Sequence, residues 1–187
     1  MVVSTSQFRN GLKIELEGEP FVIVEFQHIK PGKGGAFVRT KLKSLKSGSV
    51  LQKTFTAGDR VDTPNLEERE MQYLYRSDDG YCFMDTSSFE QLFLTEAQVG
   101  EARSFLQENV TATVLFHNDA AVGVTLPIFV QIPIVQTEPG VRGDTASGGT
   151  KPAKLATGAV VQVPFFLDVG DVIKVDTRTG EYVERVK

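Results

Sequence analysis

The residue whose neighbours best equip it for chemistry is Lys33, in the stretch Lys30-Pro31-Gly32-Lys33-Gly34-Gly35-Ala36-Phe37. Three glycines remove competing side chains around its ammonium, and glycine adopts positive φ without steric cost. Pro31 stiffens the approach by fixing its own φ. Apolar extended runs stand on both sides, Phe21–Phe26 before and Phe37-Val38 after. Two such runs bracketing a glycine cluster predict a hairpin with Lys33 at its tip. A flexible solvated loop fits this composition, and so does a lysine presented alone to a partner. A phosphate-cradling Walker A loop does not. That loop needs Gly six residues before its lysine and Ser or Thr after it, and Gln27 and Gly34 occupy those places.

The remaining reactive side chains assemble no catalytic set. His28 and His117 have no Ser-His-Asp, Cys-His or metal-ligand spacing around them. The single cysteine, Cys82, excludes an intramolecular disulfide and sits in the apolar run Tyr81–Met84, where a buried structural thiol is expected. Acids of the middle third are scattered over turns and a helix, whereas a carboxylate pair for acid–base work needs a cleft. A lysine nucleophile must be desolvated, and a glycine-rich tip beside Lys30 and water desolvates poorly. No catalytic residue, metal or cofactor is expected.

Charge divides the chain more sharply than its net value of −4 suggests. Residues 1–63 carry ten Lys/Arg against six Asp/Glu, residues 64–126 three against eleven, and residues 127–187 seven against seven. Lys30, Lys33, Arg39, Lys41, Lys43, Lys46 and Lys53 follow one another with no acid between them. An acid-free basic stripe in an acidic protein predicts a phosphate-contacting face. An acidic middle would repel RNA and keep such contacts on the outer parts of the chain, or face a protein.

The elements that must position these residues read as short strands with closely spaced turns, which predicts small barrels. Ser4–Asn10 predicts one helical turn. Leu12–Leu16, Pro20–His28, Phe37–Leu45 and Val50–Phe55 read as strands, the third alternating apolar and basic residues. A boundary is expected at Asp62-Thr63-Pro64, where basic composition turns acidic. Glu67–Tyr75 and Tyr81–Asp85 predict a hairpin, Thr95–Asn109 a helix capped by Thr95 and Gln98, and Val110–Phe116 with Ala121–Leu126 a second hairpin. Strands interrupted by one helix suit a five-stranded OB-like barrel. A second boundary is expected near Leu126-Pro127. Ile128–Val135 carries Pro133 and so predicts an edge or bulged strand. Glu138–Thr150 reads as a long loop, followed by strands at Ala159–Leu167, Val172–Val175 and Glu181–Arg185. The domains expected are therefore 1–63, 64–126 and 127–187. No apolar run approaches 18 residues, Met1–Asn10 is polar, and a single cysteine suits a reducing compartment. A cytoplasmic location without membrane association is expected.

Three stretches carry a resemblance to a known family. Lys30–Phe37 resembles the modified-lysine loop of bacterial translation elongation factor P. Lys154-Leu155-Ala156-Thr157-Gly158-Ala159-Val160-Val161-Gln162-Val163-Pro164-Phe165-Phe166-Leu167-Asp168-Val169-Gly170 resembles its C-terminal signature, and Gly143-Asp144-Thr145 a third motif. The resemblance spans the whole chain. It implies an all-β protein of three barrels, a KOW/SH3-like barrel followed by two OB-fold barrels, set in an L that mimics transfer RNA. It implies a monomer bound to the 70S ribosome between the peptidyl and exit sites, relieving stalling at consecutive prolines. Its partners would be ribosomal RNA and the peptidyl transfer RNA, whose CCA end Lys33 would reach. Lys33 would carry a covalent group of unknown type, added by a lysine-modifying enzyme. Lys30, Pro31, Gly32, Gly34, Gly35, Arg39, Lys41 and Lys43 would contact transfer or ribosomal RNA. Gly143, Asp144 and Thr145 would reach the small subunit. His28, Tyr182 and Arg185 are further candidate RNA contacts. An elongation-factor-P-like paralogue, a general RNA-binding barrel protein and a small barrel enzyme using Lys33 are the competing readings.

Overall fold

A computed structural model describes residues 1–139 and 149–186. Gly143-Asp144-Thr145 lies outside the described residues. The described chain is all-β: strands carry it, with one α-helical turn and two short 3-10 turns. By its contacts it divides into two units, Met1–Glu68 with Leu115–Gly123, and Arg69–Val114 with Val124–Lys187. Three sheets are formed.

The first sheet contains β1 (Val2–Ser4), β2 (Lys13–Leu16), β3 (Glu19–Ile29), β4 (Phe37–Ser44), β5 (Val50–Thr56) and β6 (Arg60–Asp62), in the order β1-β6-β2-β3-β4-β5. Alternation makes β4 amphipathic. Val38 and Leu42 enter the core with Ile14, Ile23 and Phe55, while Arg39, Lys41 and Lys43 face outwards. Ser4 caps a 3-10 turn over Thr5–Gln7, shorter than the turn expected for Ser4–Asn10. The three-residue strands β1 and β6, which pair with each other, are too short to leave a periodic signal.

The second sheet contains β7 (Leu66–Ser77), β8 (Gly80–Asp85), β9 (Gln91–Leu94), β10 (Thr111–His117) and β11 (Ala120–Thr125), in the order β11-β10-β7-β8-β9. The β10–β11 turn places Asn118 and Asp119 at φ 49° and 63°, as a tight primed turn requires. The helix expected over Thr95–Asn109 is corrected to a single α-turn, α1 (Glu96–Val99), followed by a 3-10 turn over Gly100–Ser104. The cap is as expected: Thr95 Oγ1 accepts from the Gln98 backbone N–H, and the Gln98 side chain accepts from the Thr95 N–H. What ends the helix is Gly100, whose φ of 58° breaks the α-helical path after one turn. Thr95→Ala is expected to lower stability by about 1 kcal/mol, read as a shifted urea midpoint at constant m-value.

The third sheet contains β12 (Phe129–Thr137), β13 (Thr150–Leu155), β14 (Val160–Pro164), β15 (Val172–Asp176) and β16 (Glu181–Arg185), in the order β14-β13-β12-β15-β16. β12 is therefore central, which corrects the edge-strand alternative, while the bulged alternative holds: the register shifts between Ile134 and Gln136. Pro133 is tolerated because it stands where one ladder ends and the other begins. Phe129–Pro133 pairs with β15, and Ile134–Thr137 pairs with β13 across a bulge. The core is made by Val130, Ile132, Ile134, Ala153, Leu155, Val161, Val163, Leu167, Ile173 and Val175. At the β15–β16 turn, two hydrogen bonds from the Arg178 guanidinium hold the Asp176 carboxyl down at about 2.

Candidate nucleic-acid interface

The β3–β4 hairpin builds the platform for Lys33. Its last pairs are His28 with Val38 and Ile29 with Phe37, and the chain from Lys30 to Ala36 closes the end. The outgoing side is tied down by the Ala57 N–H, which donates to the Ala36 carbonyl at 2.9 Å. Every residue from Lys30 to Gly35 is exposed. Of the three glycines, Gly34 alone takes positive φ, at 107°. A side chain there would be strained whatever the space around it. Gly32 and Gly35 stand in open space and contribute emptiness rather than a special backbone conformation. Among the described residues, the Lys33 side chain has no hydrogen bond and no ion pair. It is an ammonium held out by a two-stranded ribbon.

The basic stripe divides on folding. Arg39, Lys41 and Lys43 share the outer face of β4. Lys53 pairs with Thr40, on the opposite side of the sheet, and its ammonium lies 5.7 Å from the centre of the Phe55 ring. Lys41 is opposite Glu25, and their charges meet at 2.6 Å. Antiparallel pairing thus brings an acid into a stripe that has none along the chain. The pair is solvent-exposed, so it adds little stability, but the Glu25 carboxylate offsets part of the charge Lys41 offers to a phosphate. Arg39 and Lys43 have no ion-pair partner among the described residues. His28 is exposed and meets Phe26 edge to face, ring centres 5.6 Å apart.

The other candidates lie elsewhere. Tyr182 packs on the core of the third sheet, and the Arg185 guanidinium binds Asp171 at 2.7 Å. His117 is buried, its Nε2 2.9 Å from a Glu15 carboxylate oxygen and 3.3 Å from Asn118 Nδ2. Cys82 is fully buried, as expected, with Gln91 Oε1 3.7 Å from its sulfur. Among the described residues, no group of three or more His, Cys, Asp or Glu is placed to hold a metal ion. No helix among them is long and apolar enough to cross a membrane. Chemically, the hairpin can do one thing well: present a primary amine and two unpaired cations to a polyanion.

Comparison with known proteins is consistent along the chain. Residues 4–61 match the family profile described as Elongation factor P (EF-P) KOW-like domain. Residues 66–124 match Elongation factor P (EF-P) OB domain, and residues 119–185 match Elongation factor P, C-terminal. The chain is similar to Elongation factor P of Natranaerobius thermophilus, 59% identical over 186 residues that cover 100% of this chain and 99% of that one. It is similar to Elongation factor P of Moorella thermoacetica, 53% identical over 184 residues that cover 98% and 100%. Among solved structures it is similar to Eukaryotic translation initiation factor 5A from Methanococcus jannaschii, with a TM-score of 0.55 and 23% identity over 68% of this chain and 92% of that one. At that identity the likeness concerns the fold alone.

Proposed function

The chain belongs to the elongation factor P family, and from that premise we propose that it is a non-enzymatic factor acting on the ribosome to stimulate peptide-bond formation at consecutive prolines. It binds between the peptidyl and exit transfer-RNA sites as a cytoplasmic monomer. The observation that carries this reading is the Lys33 tip: exposed, flanked by Gly32 and Gly34, and without a hydrogen-bond or ion-pair partner among the described residues.

The family resemblance implies where the contacts fall, and side-chain chemistry says what each residue would do there. Arg39 and Lys43, helped by Lys41, lie along the acceptor arm of the peptidyl transfer RNA and set the register of the hairpin by phosphate contacts. Lys30 and the narrow Pro31–Gly35 loop enter the peptidyl-transferase centre, where glycines admit close backbone approach to RNA. Lys33, extended by a covalent group that a modifying enzyme adds, binds the CCA end through charge-assisted hydrogen bonds. Proline is a poor donor and acceptor of the peptidyl group, so the reaction suffers most from unproductive conformers. Holding the ester in place removes them before the reaction. Lys33 need not move a proton. Its exposure is the reverse of the desolvation a lysine nucleophile needs.

The test is ribosome co-sedimentation together with synthesis of a polyproline peptide in a purified translation system. Binding to ribosomes and faster synthesis are expected. Absence of both overturns the reading.

A further inference from the structure

The middle sheet exposes aromatic rings on the face turned away from its core. Register puts Tyr75, Cys82 and Phe93 in one row across β7, β8 and β9, and Gln72, Met84 and Gln91 in the next. Residues directly opposite one another share a face, and the bulge at Leu74 keeps Gln72 and Tyr75 on it. The other face sends Met71, Tyr73 and Phe83 into the core. Tyr75 and Phe93 are each 43% exposed and meet edge to face, ring centres 6.4 Å apart. β9 is the last strand of this sheet and pairs with β8 alone among the described residues. The Asp85 N–H donates to the Glu90 carbonyl at 2.9 Å, so antiparallel alternation turns the backbone N–H and C=O of Gln91 and Phe93 to the open edge. Proteins blunt such edges with charge, proline or a bulge, and Gln91-Leu92-Phe93-Leu94 has none of these. The turn into β9 holds a further anomaly. Phe89 is 69% exposed and sits at φ 62°, a conformation costly for a bulky side chain. Asp85 braces that turn: its Oδ1 accepts from the Ser87 and Ser88 N–H groups at 2.7 and 3.0 Å, and its carbonyl accepts from the Phe89 N–H. Strain held in place around a ring left in solvent returns nothing to packing.

Charge says what this face takes. Asp78 and Asp79 stand in the β7–β8 turn, and Glu70 and Glu90 at the opposite end of the strands. All four are exposed, and none makes an ion pair among the described residues. No cation offsets them on this face. Arg69 lies in the inward series with Met71 and Tyr73, and Arg76 is engaged by the Tyr81 ring at 5.1 Å and by Glu96 at 3.6 Å. The second and third strands of an OB fold commonly bind oligonucleotides, but a phosphate chain here would meet four carboxylates and no cation. We infer that the outer face of β7, β8 and β9 binds an extended, basic segment of a protein partner. The segment adds a strand to the open edge of β9. Its apolar side chains rest on Tyr75 and Phe93, with Phe89 at the end of the same edge, and its cations face the four acids. This surface is separate from the Lys33 hairpin and does not depend on the ribosomal mechanism proposed above.

The experiment titrates the isotope-labelled full-length protein with the peptide acetyl-Lys-Val-Lys-Val-Lys-Val-amide and follows backbone amide shifts. The same peptide with Glu in place of Lys and a single-stranded oligouridylate are titrated in parallel. Saturable shifts centred on Gln91 and Phe93 are expected with the lysine peptide and with neither of the others, and the affinity should fall as salt rises. Tyr75→Thr/Phe93→Thr keeps strand-forming residues, removes both rings and should weaken binding by about tenfold or more. Because those rings cover Cys82, Asp78→Asn/Asp79→Asn serves in its place if that variant fails to fold. The latter should weaken binding by about threefold and flatten its salt dependence. Phe89→Asn, whose new residue tolerates positive φ, should keep the thermal midpoint and weaken binding. A lowered midpoint would assign Phe89 to stability and remove it from the surface. No shifts along β9 with the lysine peptide, or equal shifts with the glutamate peptide, overturn the inference. Shifts along β9 with oligouridylate alone overturn the choice of a protein partner and make this an RNA face.

Discussion

Lys33→Ala is expected to remove most of the stimulation of polyproline synthesis while leaving the stability of the protein nearly untouched. The two halves of this result have separate causes. Lys33 is exposed and makes no side-chain hydrogen bond or ion pair among the described residues, so its truncation should change stability by no more than about 0.5 kcal/mol. Function has no such redundancy. Gly32 and Gly34 flank it, so no neighbouring side chain can take its place. Gly34, at φ 107°, turns the chain immediately after it. Lys33→Arg separates charge from shape. Arginine keeps the positive charge but presents a planar fork and accepts no lysine-directed modification. It is expected to fail in the native cell. A working Lys33→Arg protein would mean that charge alone suffices. Wild-type rates of polyproline synthesis with Lys33→Ala, in a purified translation system, would remove Lys33 from the mechanism.

Local signals carried the sequence reading where the chain's own neighbours decide the structure. The β3–β4 hairpin was legible because β4 alternates inward Val38 and Leu42 with outward Arg39, Lys41 and Lys43. The cap at Thr95 was legible because Gln98 stands three residues on. Tertiary signals were hidden. β13 escaped because a lysine, Lys151, occupies an inward position and Pro152 follows it, which together imitate a polar loop. The early end of α1 is masked in the sequence because Val99, Ala102, Phe105 and Leu106 keep helical spacing beyond Gly100. Phe105 instead packs against the third sheet's core from outside the helix. Pro133 lacks an N–H, which signals either an edge or a bulge; the bulge is what forms, because two ladders meet at that point. Lys33 was legible as a site because glycines, which do little for packing, surround it. The burial of Lys151 was not, because its partners, Glu138 and Asp168, are far apart along the chain.

The outer face of β4 should carry much of the salt dependence of ribosome binding, and its three cations should contribute unequally. Arg39 and Lys43 have no acid opposite them, since their β3 partners are Gln27 and Val22. Lys41 faces Glu25 at 2.6 Å. Each phosphate contact contributes about one to the slope of log affinity against log salt. Arg39→Gln/Lys43→Gln should therefore flatten that slope by about two. The loss of two charge-assisted hydrogen bonds, at about 1.5–3 kcal/mol each, should weaken binding by about two orders of magnitude or more. Lys41→Gln should flatten the slope by less than either single change, because Glu25 already neutralises part of its charge. Glu25→Gln should do the opposite: it frees Lys41, removes a repulsive carboxylate from the face, and should tighten binding at low salt. The barrel should stay folded in all of these variants, since the pair is exposed and the core residues Val38 and Leu42 are untouched. The measurement is affinity for ribosomes across a salt series. Equal slopes for wild-type and Arg39→Gln/Lys43→Gln proteins would detach this face from RNA. A Glu25→Gln protein that binds no better than wild type would show that Lys41 does not approach a phosphate.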